Sequence, residues 1–131
     1  MLTDLRLKFV FESQVNGIAI GINDRHNQLA KITNNQDSTV DVTVKFILPN
    51  CITFTVSNIP PGYNSVELQS CSLGGLELGK DILNKICHYT PSDTGTEIVS
   101  TRWWTDGKAK IDFYAQDWVQ YHLLHGNKIV L

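Results

Sequence analysis

The sequence predicts an all-β protein, a two-sheet antiparallel β-sandwich of jelly-roll or immunoglobulin-like type. Apolar and polar residues alternate over residues 5–11, 18–22, 40–48 and 52–56. Because successive side chains of a strand point to opposite faces, such runs are typical of strands with one buried and one wet face. Turn-forming residues separate the runs at intervals of roughly ten residues.

We expect about nine strands, with bounds set by the alternation and by the turn residues. Those in the first two thirds of the chain are 4–12, 18–23, 28–33, 39–48, 51–58, 64–71 and 76–78. Pro49-Asn50 predicts a hairpin of 39–48 with 51–58. Pro60-Pro61-Gly62 ends the second of these strands, because proline cannot donate a hydrogen bond to the ladder. Gly74-Gly75 interrupts the strand pattern, which then resumes.

One segment, 81–89, has a helical spacing instead of an alternating one. Ile82, Leu83, Ile86 and Cys87 recur at the interval that places apolar side chains on one helix face. Asp81 precedes them and is the expected N-cap, since a carboxylate can accept a hydrogen bond from a free backbone N–H of the first turn. We therefore expect one short helical segment against the edge of a sheet.

A further hairpin is predicted around Thr105-Asp106-Gly107, a type I turn followed by a glycine in the left-handed conformation. Its register forms an inward face from three cross-strand pairs: Trp103 with Ala109, Thr101 with Ile111, and Val99 with Phe113. Trp103 then points inward and Trp104 outward. Gly126-Asn127 predicts a last hairpin of 118–124 with 129–131, and a helix over 117–125 is the alternative.

A chain of 131 residues has the usual length for one domain, 1–131, with one hydrophobic core. The predicted core consists of Leu7, Phe9, Ile20, Val42, Val44, Phe46, Phe54, Val56, Leu68, Trp103, Ile111 and Phe113.

Composition argues against two kinds of partner, nucleic acid and membranes. A formal net charge of −2 provides no positive field for nucleic acid or for an anionic membrane. No apolar run reaches the roughly 20 residues of a membrane-spanning helix. The first residues lack the pattern of a signal peptide, so we expect an intracellular or virion-associated protein. Cys51, Cys71 and Cys87 form no C-x-x-C pair and are expected to be free thiols.

The sequence contains no recognisable catalytic motif, and we expect a protein that is not an enzyme. Residues 74–81 have the spacing of a phosphate-binding loop, but Asp81 stands where that loop needs serine or threonine. His122 and His125 would share a face only on a helix, so no metal site is expected there. We expect no cofactor, although calcium is an alternative. Oxygen-bearing residues near turns could ligate it at one end of the sandwich: Asn23, Asp24, Asn27, Asp37 and Asp41.

The outward face of the predicted 99–113 hairpin carries the candidate ligand-binding residues Arg102, Trp104, Asp112 and Tyr114. An exposed indole can stack on the CH groups of a sugar while polar neighbours bind its hydroxyls, and the same combination anchors protein interfaces. Three roles therefore stay open for Trp104: a ligand platform, a protein interface, or a ring covered by a neighbouring loop.

About half of the chain resembles a known family. Asn16-Gly17-Ile18-Ala19-Ile20-Gly21-Ile22-Asn23, the strands over 40–56 and Ser65-Val66-Glu67-Leu68 are similar to small β-sandwich carbohydrate-binding modules, including the calcium-dependent xylan-binding type. The resemblance implies a β-sandwich that binds a glycan. It does not extend to an acidic calcium-binding signature, so no functional residue is carried over.

We therefore predict a non-catalytic binding module whose partner is a glycan. The alternative is a structural or assembly subunit, for example a virion component, which acts through contacts with another protein chain or as a homo-oligomer. Three apolar residues at outward strand positions favour that alternative, because another chain could cover them: Val10, Ile47 and Leu124.

Overall fold

A computed structural model describes residues 2–47 and 51–113, except for the side chain of Phe46. Within these ranges it confirms an all-β sandwich with two antiparallel sheets of five and six strands and one short helix. The elements in chain order are β1 (Leu2–Glu12), β2 (Ala19–Asn23), β3 (Gln28–Thr33), β4 (Ser38–Ile47), β5 (Cys51–Ser57), β6 (Ser65–Leu73), β7 (Leu76–Leu78), α1 (Lys80–Ile86), β8 (His88–Pro91), β9 (Ile98–Val99), β10 (Arg102–Trp103) and β11 (Gly107–Asp112). No described helix is long and apolar enough to cross a membrane.

The two sheets differ in strand order. The five-stranded sheet runs β10-β6-β1-β4, and β7 pairs with β6 as its fifth strand. The six-stranded sheet runs β3-β2-β5-β11-β8-β9. The buried apolar residues of both sheets form one core cluster between them. The sandwich therefore has two outer faces, one on each sheet.

Strand β1 shows how the alternation produces this arrangement. Leu5, Leu7 and Phe9 are buried in the core, whereas Arg6 is exposed and Lys8 half-buried on the outer face. β1 lies between β4 and β6, and its pairing with β6 shifts register between Lys8 and Phe9. The shift is a local irregularity of the kind that increases the twist of a sheet.

Aromatic side chains join the two sheets at the centre of the core. Trp103 from β10 stacks on Tyr89 from β8, with ring centroids 5.1 Å apart and planes 10° apart. Phe54 from β5 lies 6.1 Å from Trp103, and Phe9 from β1 meets Phe54 edge-on at 5.5 Å. Contacts at these distances contribute about 0.5–1.5 kcal/mol each beyond the area that they bury. Trp103 is thus inward, as predicted.

The predicted break at Gly74-Gly75 is confirmed as a two-residue hairpin turn. Leu73 pairs with Leu76 across it, and the two glycines have φ angles of 57° and 87°. Positive φ at both central residues is the requirement of the type I′ turn, which glycine meets without steric cost. β7 therefore returns along β6 as an edge strand.

Both predicted hairpins at 39–58 and 99–113 are wrong. β4 pairs with β1 in one sheet and β5 pairs with β2 and β11 in the other. Likewise β10 pairs with β6, while β11 pairs with β5 and β8. Alternation indicates which residues of a strand face the core, but it does not identify the strand that lies beside it. The prediction therefore paired strands that are consecutive in sequence, although the sandwich places them in different sheets.

The turn at Asp106 has a different role from the one predicted. Its carboxylate accepts a hydrogen bond from Ile59 N at 2.9 Å, and its carbonyl accepts one from Ser92 N at 2.8 Å. Asp106 therefore ties loops together where the chain passes from one sheet to the other. Val99, assigned to the inward face, is instead exposed on the edge strand β9.

The helix is confirmed, but its predicted cap is wrong. α1 begins at Lys80 with Gly79 as N-cap and without a side-chain cap hydrogen bond, and Asp81 lies within the first turn. Asp81 there still suits the partial positive charge of a helix N-terminus. Leu83 and Ile86 are buried against the sheet.

Most of the predicted core is confirmed. Val42 is only partly buried, because it packs at the margin of the core cluster on the edge strand β4. The side chain of Phe46 and the predicted hairpin around Gly126-Asn127 lie outside the described residues. The other predicted core side chains are buried: Leu7, Phe9, Ile20, Val44, Phe54, Val56, Leu68, Trp103, Ile111 and Phe113.

Candidate functional site

The candidate site begins at one end of the five-stranded sheet, where Arg102 contacts Trp104. The guanidinium carbon of Arg102 lies 4.9 Å from the centroid of the indole ring, a cation–π distance. Arg102 also donates from Nε to Ser65 Oγ at 3.2 Å and forms an ion pair with Glu12. These residues, Arg102, Trp104, Ser65 and Glu12, are here called the Arg102 cluster.

Trp104 keeps 48% of its surface exposed, although its neighbour Trp103 is 1% exposed. The indole is therefore held by the guanidinium on one side and still offers apolar surface to solvent. Arg102 in turn is oriented by a carboxylate and a hydroxyl, which fix a long side chain that would otherwise sample many rotamers. The Arg102 cluster is thus a pre-oriented aromatic and polar surface.

A hollow of about 580 Å³, here called the end hollow, adjoins this cluster through Glu12. Residues of three segments surround it: 10–14, 37–39 and Tyr63. Tyr63 is 93% exposed and provides a second aromatic ring at this end of the sheet. Two aromatic rings, a carboxylate and several hydroxyl or amide groups therefore share one surface.

Buried side-chain hydrogen bonds hold the loops around the end hollow. Asn64 Oδ1 accepts from Ser13 Oγ at 2.9 Å and from Gln14 N at 3.2 Å, and Asn64 Nδ2 donates to Pro61 O at 3.1 Å. Asp37 Oδ1 accepts from Ser13 N at 2.8 Å. Because Asn64 and Ser13 are buried, losing these bonds would leave polar atoms without partners, so the loops are firmly positioned.

The structure brings together only part of the predicted ligand-binding set. Arg102 and Trp104 are in contact, but Asp112 lies at the end of β11 in the other sheet, opposite Cys51. Tyr114 lies outside the described residues. Asp112 was grouped with Arg102 because both were assigned to one hairpin, and the two strands belong to different sheets.

Two of the three residues predicted for the interface of an assembly subunit lie on β1 and β4. Val10 is half-buried and lines the end hollow, whereas Ile47 is 58% exposed at the end of β4. Leu124 lies outside the described residues, as do His122 and His125. Val10 and Ile47 therefore form no continuous apolar patch with each other, and their role at an interface stays a prediction.

The described carboxylates do not form a calcium cage. Asp24 Oδ1 accepts from the backbone N–H groups of His26 and Asn27 at 2.8 and 2.7 Å, which is a local turn. Asp37 supports the end hollow, and Asp41 faces Lys8 across strands. Within the described ranges no group of three His, Cys, Asp or Glu side chains could hold a metal ion.

The thiols of Cys71 and Cys87 are buried in the core. Burial raises the pKa of Cys87 to about 12 and raises the pKa of Cys71 further. A thiol that stays protonated is a poor nucleophile. His88, the chain neighbour of Cys87, contacts Glu97 instead, with Nδ1 and Oε2 3.4 Å apart. None of the three cysteines, all of which lie among the described residues, forms a disulfide, as predicted.

Sequence reasoning missed Glu12, Tyr63 and Asn64. Strand pairing between β1, β6 and β10 brings Glu12 to Arg102, and no local pattern reports such pairing. Tyr63 shares the lining of the end hollow with Glu12. Asn64 had one signal: an asparagine directly after Pro60-Pro61-Gly62 is typical of a turn residue that bonds to nearby backbone.

The two sheets form a β-sandwich whose fold is similar to that of solved carbohydrate-binding modules. The structure of vCBM60 in complex with galactobiose matches with a TM-score of 0.62 and 12% sequence identity, covering 83% of this chain and 97% of that chain. The selenomethionine form of vCBM60 matches with a TM-score of 0.60 and 12% identity, covering 82% and 90%. Circular permutation is reported with that structure as an evolutionary link between two families of calcium-dependent carbohydrate binding modules. No family model and no curated protein matches the sequence.

Proposed function

We propose that this protein is a non-catalytic glycan-binding module and that the Arg102 cluster is part of its binding surface. The observation that carries the proposal is the half-exposed indole of Trp104, which contacts Arg102. Arg102 in turn pairs with Glu12, which lines the end hollow. The fold similarity to a module that binds galactobiose supports the same class of ligand.

The chemistry of the surface suits a sugar. The CH groups of a pyranose can pack on the exposed part of the indole, as apolar groups do on aromatic rings. Glu12 accepts hydrogen bonds and Arg102 donates them, so together they can bind the hydroxyl groups at the edge of the same sugar. Hydrogen bonds to charged groups contribute about 1.5–3 kcal/mol each, more than bonds between neutral groups.

The proposal places no calcium ion in the Arg102 cluster, which can bind hydroxyls with protein atoms alone. Within the described ranges no group of three His, Cys, Asp or Glu side chains could hold a metal ion.

A glycan array probed with the full chain and with two variants tests the proposal. Trp104→Ala removes the indole, and Ile98→Ala is the matched control. Ile98 is 47% exposed, close to the 48% of Trp104, but lies on the edge strand of the other sheet. Loss of a well-placed aromatic anchor costs more than about 1 kcal/mol, so affinity for the strongest glycan should fall about fivefold or more in Trp104→Ala.

Ile98→Ala should bind as the wild type does. An array with no signal for the wild-type chain would overturn the proposal. Equal binding by wild type and Trp104→Ala would move the site away from the Arg102 cluster.

A further inference from the structure

Two more hollows follow the end hollow along the outer face of the five-stranded sheet. The middle hollow, of about 340 Å³, is lined by Lys8, Asp41, Thr43 and Ser70 among others. The far hollow, of about 450 Å³, is lined by Thr3, Asp4, Lys45 and Gly74 among others. Arg6, Ser72 and Glu77 line both, so these two hollows are continuous.

Strand register connects the middle hollow with the end hollow. Val10 lines the end hollow and pairs with Thr39, which also lines it. The next outward residue of β1 is Lys8, which pairs with Asp41 in the middle hollow. Residues two apart on a strand are about 7 Å apart, so one hollow passes into the next without an intervening row.

The three hollows therefore lie in line along β1, and together they are here called the sheet groove. It extends from the row of Thr3 to the row of Glu12, a length of roughly 30 Å at about 3.3 Å per residue. The aromatic rings of Trp104 and Tyr63 lie at one end. A disaccharide at that end would leave most of the sheet groove empty.

The lining of the sheet groove is polar and of mixed charge. Hydroxyl groups of Thr43, Ser70 and Ser72 lie in its middle part. Acidic and basic side chains both line it, and Lys45 forms an ion pair with Asp4. Such a lining offers donors and acceptors for hydroxyl groups but no single-sign field that would select a polyanion.

From this geometry we infer that the ligand is an extended neutral oligosaccharide that lies along β1 and β4 and fills the sheet groove. The inference rests on the proposed glycan-binding function and adds the length and charge of the glycan. The end of the sheet groove that carries Trp104 binds one end of the oligosaccharide. The hydroxyl and charged groups near Arg6 bind sugar units farther along the oligosaccharide.

Calorimetric titration with oligosaccharides of two lengths tests the inference. The probes are galactobiose and xylobiose, the corresponding hexasaccharides, and a hexasaccharide of a uronic acid as a polyanion. Arg6→Ser removes a donor from the part of the sheet groove far from Trp104. Lys110→Ser is the matched control, because it removes an exposed basic side chain from β11 in the other sheet.

The neutral hexasaccharide of at least one series should bind about tenfold more tightly than its disaccharide. Arg6→Ser should remove most of that gain and leave disaccharide affinity unchanged, whereas Lys110→Ser should change neither. Equal affinities for the two lengths or preference for the polyanion would each overturn the inference and leave glycan binding standing. No binding of the hexasaccharides would overturn it too, and a blank glycan array would overturn the proposed function as well.

Discussion

The adjacent tryptophans should have opposite effects when each is replaced by alanine. Trp103→Ala should destabilise the fold, whereas Trp104→Ala should leave stability nearly unchanged and weaken glycan binding. The reason is their placement: Trp103 is 1% exposed at the centre of the aromatic cluster, and Trp104 is 48% exposed on the surface. The pair therefore separates a structural role from a binding role with one type of substitution.

The magnitude for Trp103 follows from its surroundings. Truncation of a buried tryptophan to alanine costs about 3–5 kcal/mol. The indole N–H of Trp103 also donates to Ser100 O at 2.9 Å, and loss of that bond contributes about 1 kcal/mol. We expect a total of about 4–6 kcal/mol. With about 2.1 cal/mol/K of unfolding entropy per residue over 131 residues, Tm should fall by roughly 15–20 °C.

Denaturant unfolding followed by far-ultraviolet circular dichroism measures both variants without relying on tryptophan fluorescence. Trp103→Phe is the intermediate control, since it keeps an aromatic ring and loses the hydrogen bond. A Trp103→Ala midpoint equal to that of the wild type would refute the reasoning, as would a loss in Trp104→Ala as large as in Trp103→Ala.

Three further perturbations have expected outcomes of their own. Asn64→Ala should destabilise by about 2–3 kcal/mol, because it leaves buried partners without hydrogen bonds, and should also weaken glycan binding. Gly107→Ala should cost about 1–3 kcal/mol, because the added Cβ would lie 2.4 Å from Thr90 O. Cys71 and Cys87 should resist a thiol reagent in the native state, and stability should fall above about pH 9 as unfolded thiols release protons that native thiols hold.

Each of these has a control within the chain. Asn35→Ala changes an exposed asparagine and should be nearly neutral in thermal unfolding. Gly79→Ala places a Cβ where nothing lies within 4 Å, and a loss equal to that of Gly107→Ala would contradict the steric reason. Labelling of Cys71 or Cys87 by the reagent at the rate of unfolded protein would show that their burial is wrong. Stability that rises with alkaline pH would contradict the sign of the linkage.

Alternation predicted the strands well because it is a local consequence of burial on one face. β3 begins and ends at the predicted residues, and β1, β4 and β5 differ by one or two residues at their ends. Pairing partners were not predictable in this way. β1 pairs with β6 although more than fifty residues of sequence separate the paired residues. From the sequence alone, any other strand with the same alternation could have paired with β1.

The candidate site was predictable only where it is local. Trp104 was assigned outward because it follows an inward Trp103, and that depends on alternation alone. The grouping of Asp112 with Arg102 depended on a hairpin and is not reproduced by the sheets. Glu12 became part of the Arg102 cluster through strand pairing, so its role needed the structure.

Titration of the ¹⁵N-labelled chain with the glycan that binds most tightly on the array would locate the bound glycan by NMR. If the glycan lies on the outer face of the five-stranded sheet, the Trp104 indole N–H signal and the backbone amide signals of Glu12 and Lys8 should shift, with those of Lys108 and Lys110 unchanged. Shifts confined to β11 and its neighbours in the six-stranded sheet, with the Trp104 indole signal unmoved, would show that the glycan binds elsewhere.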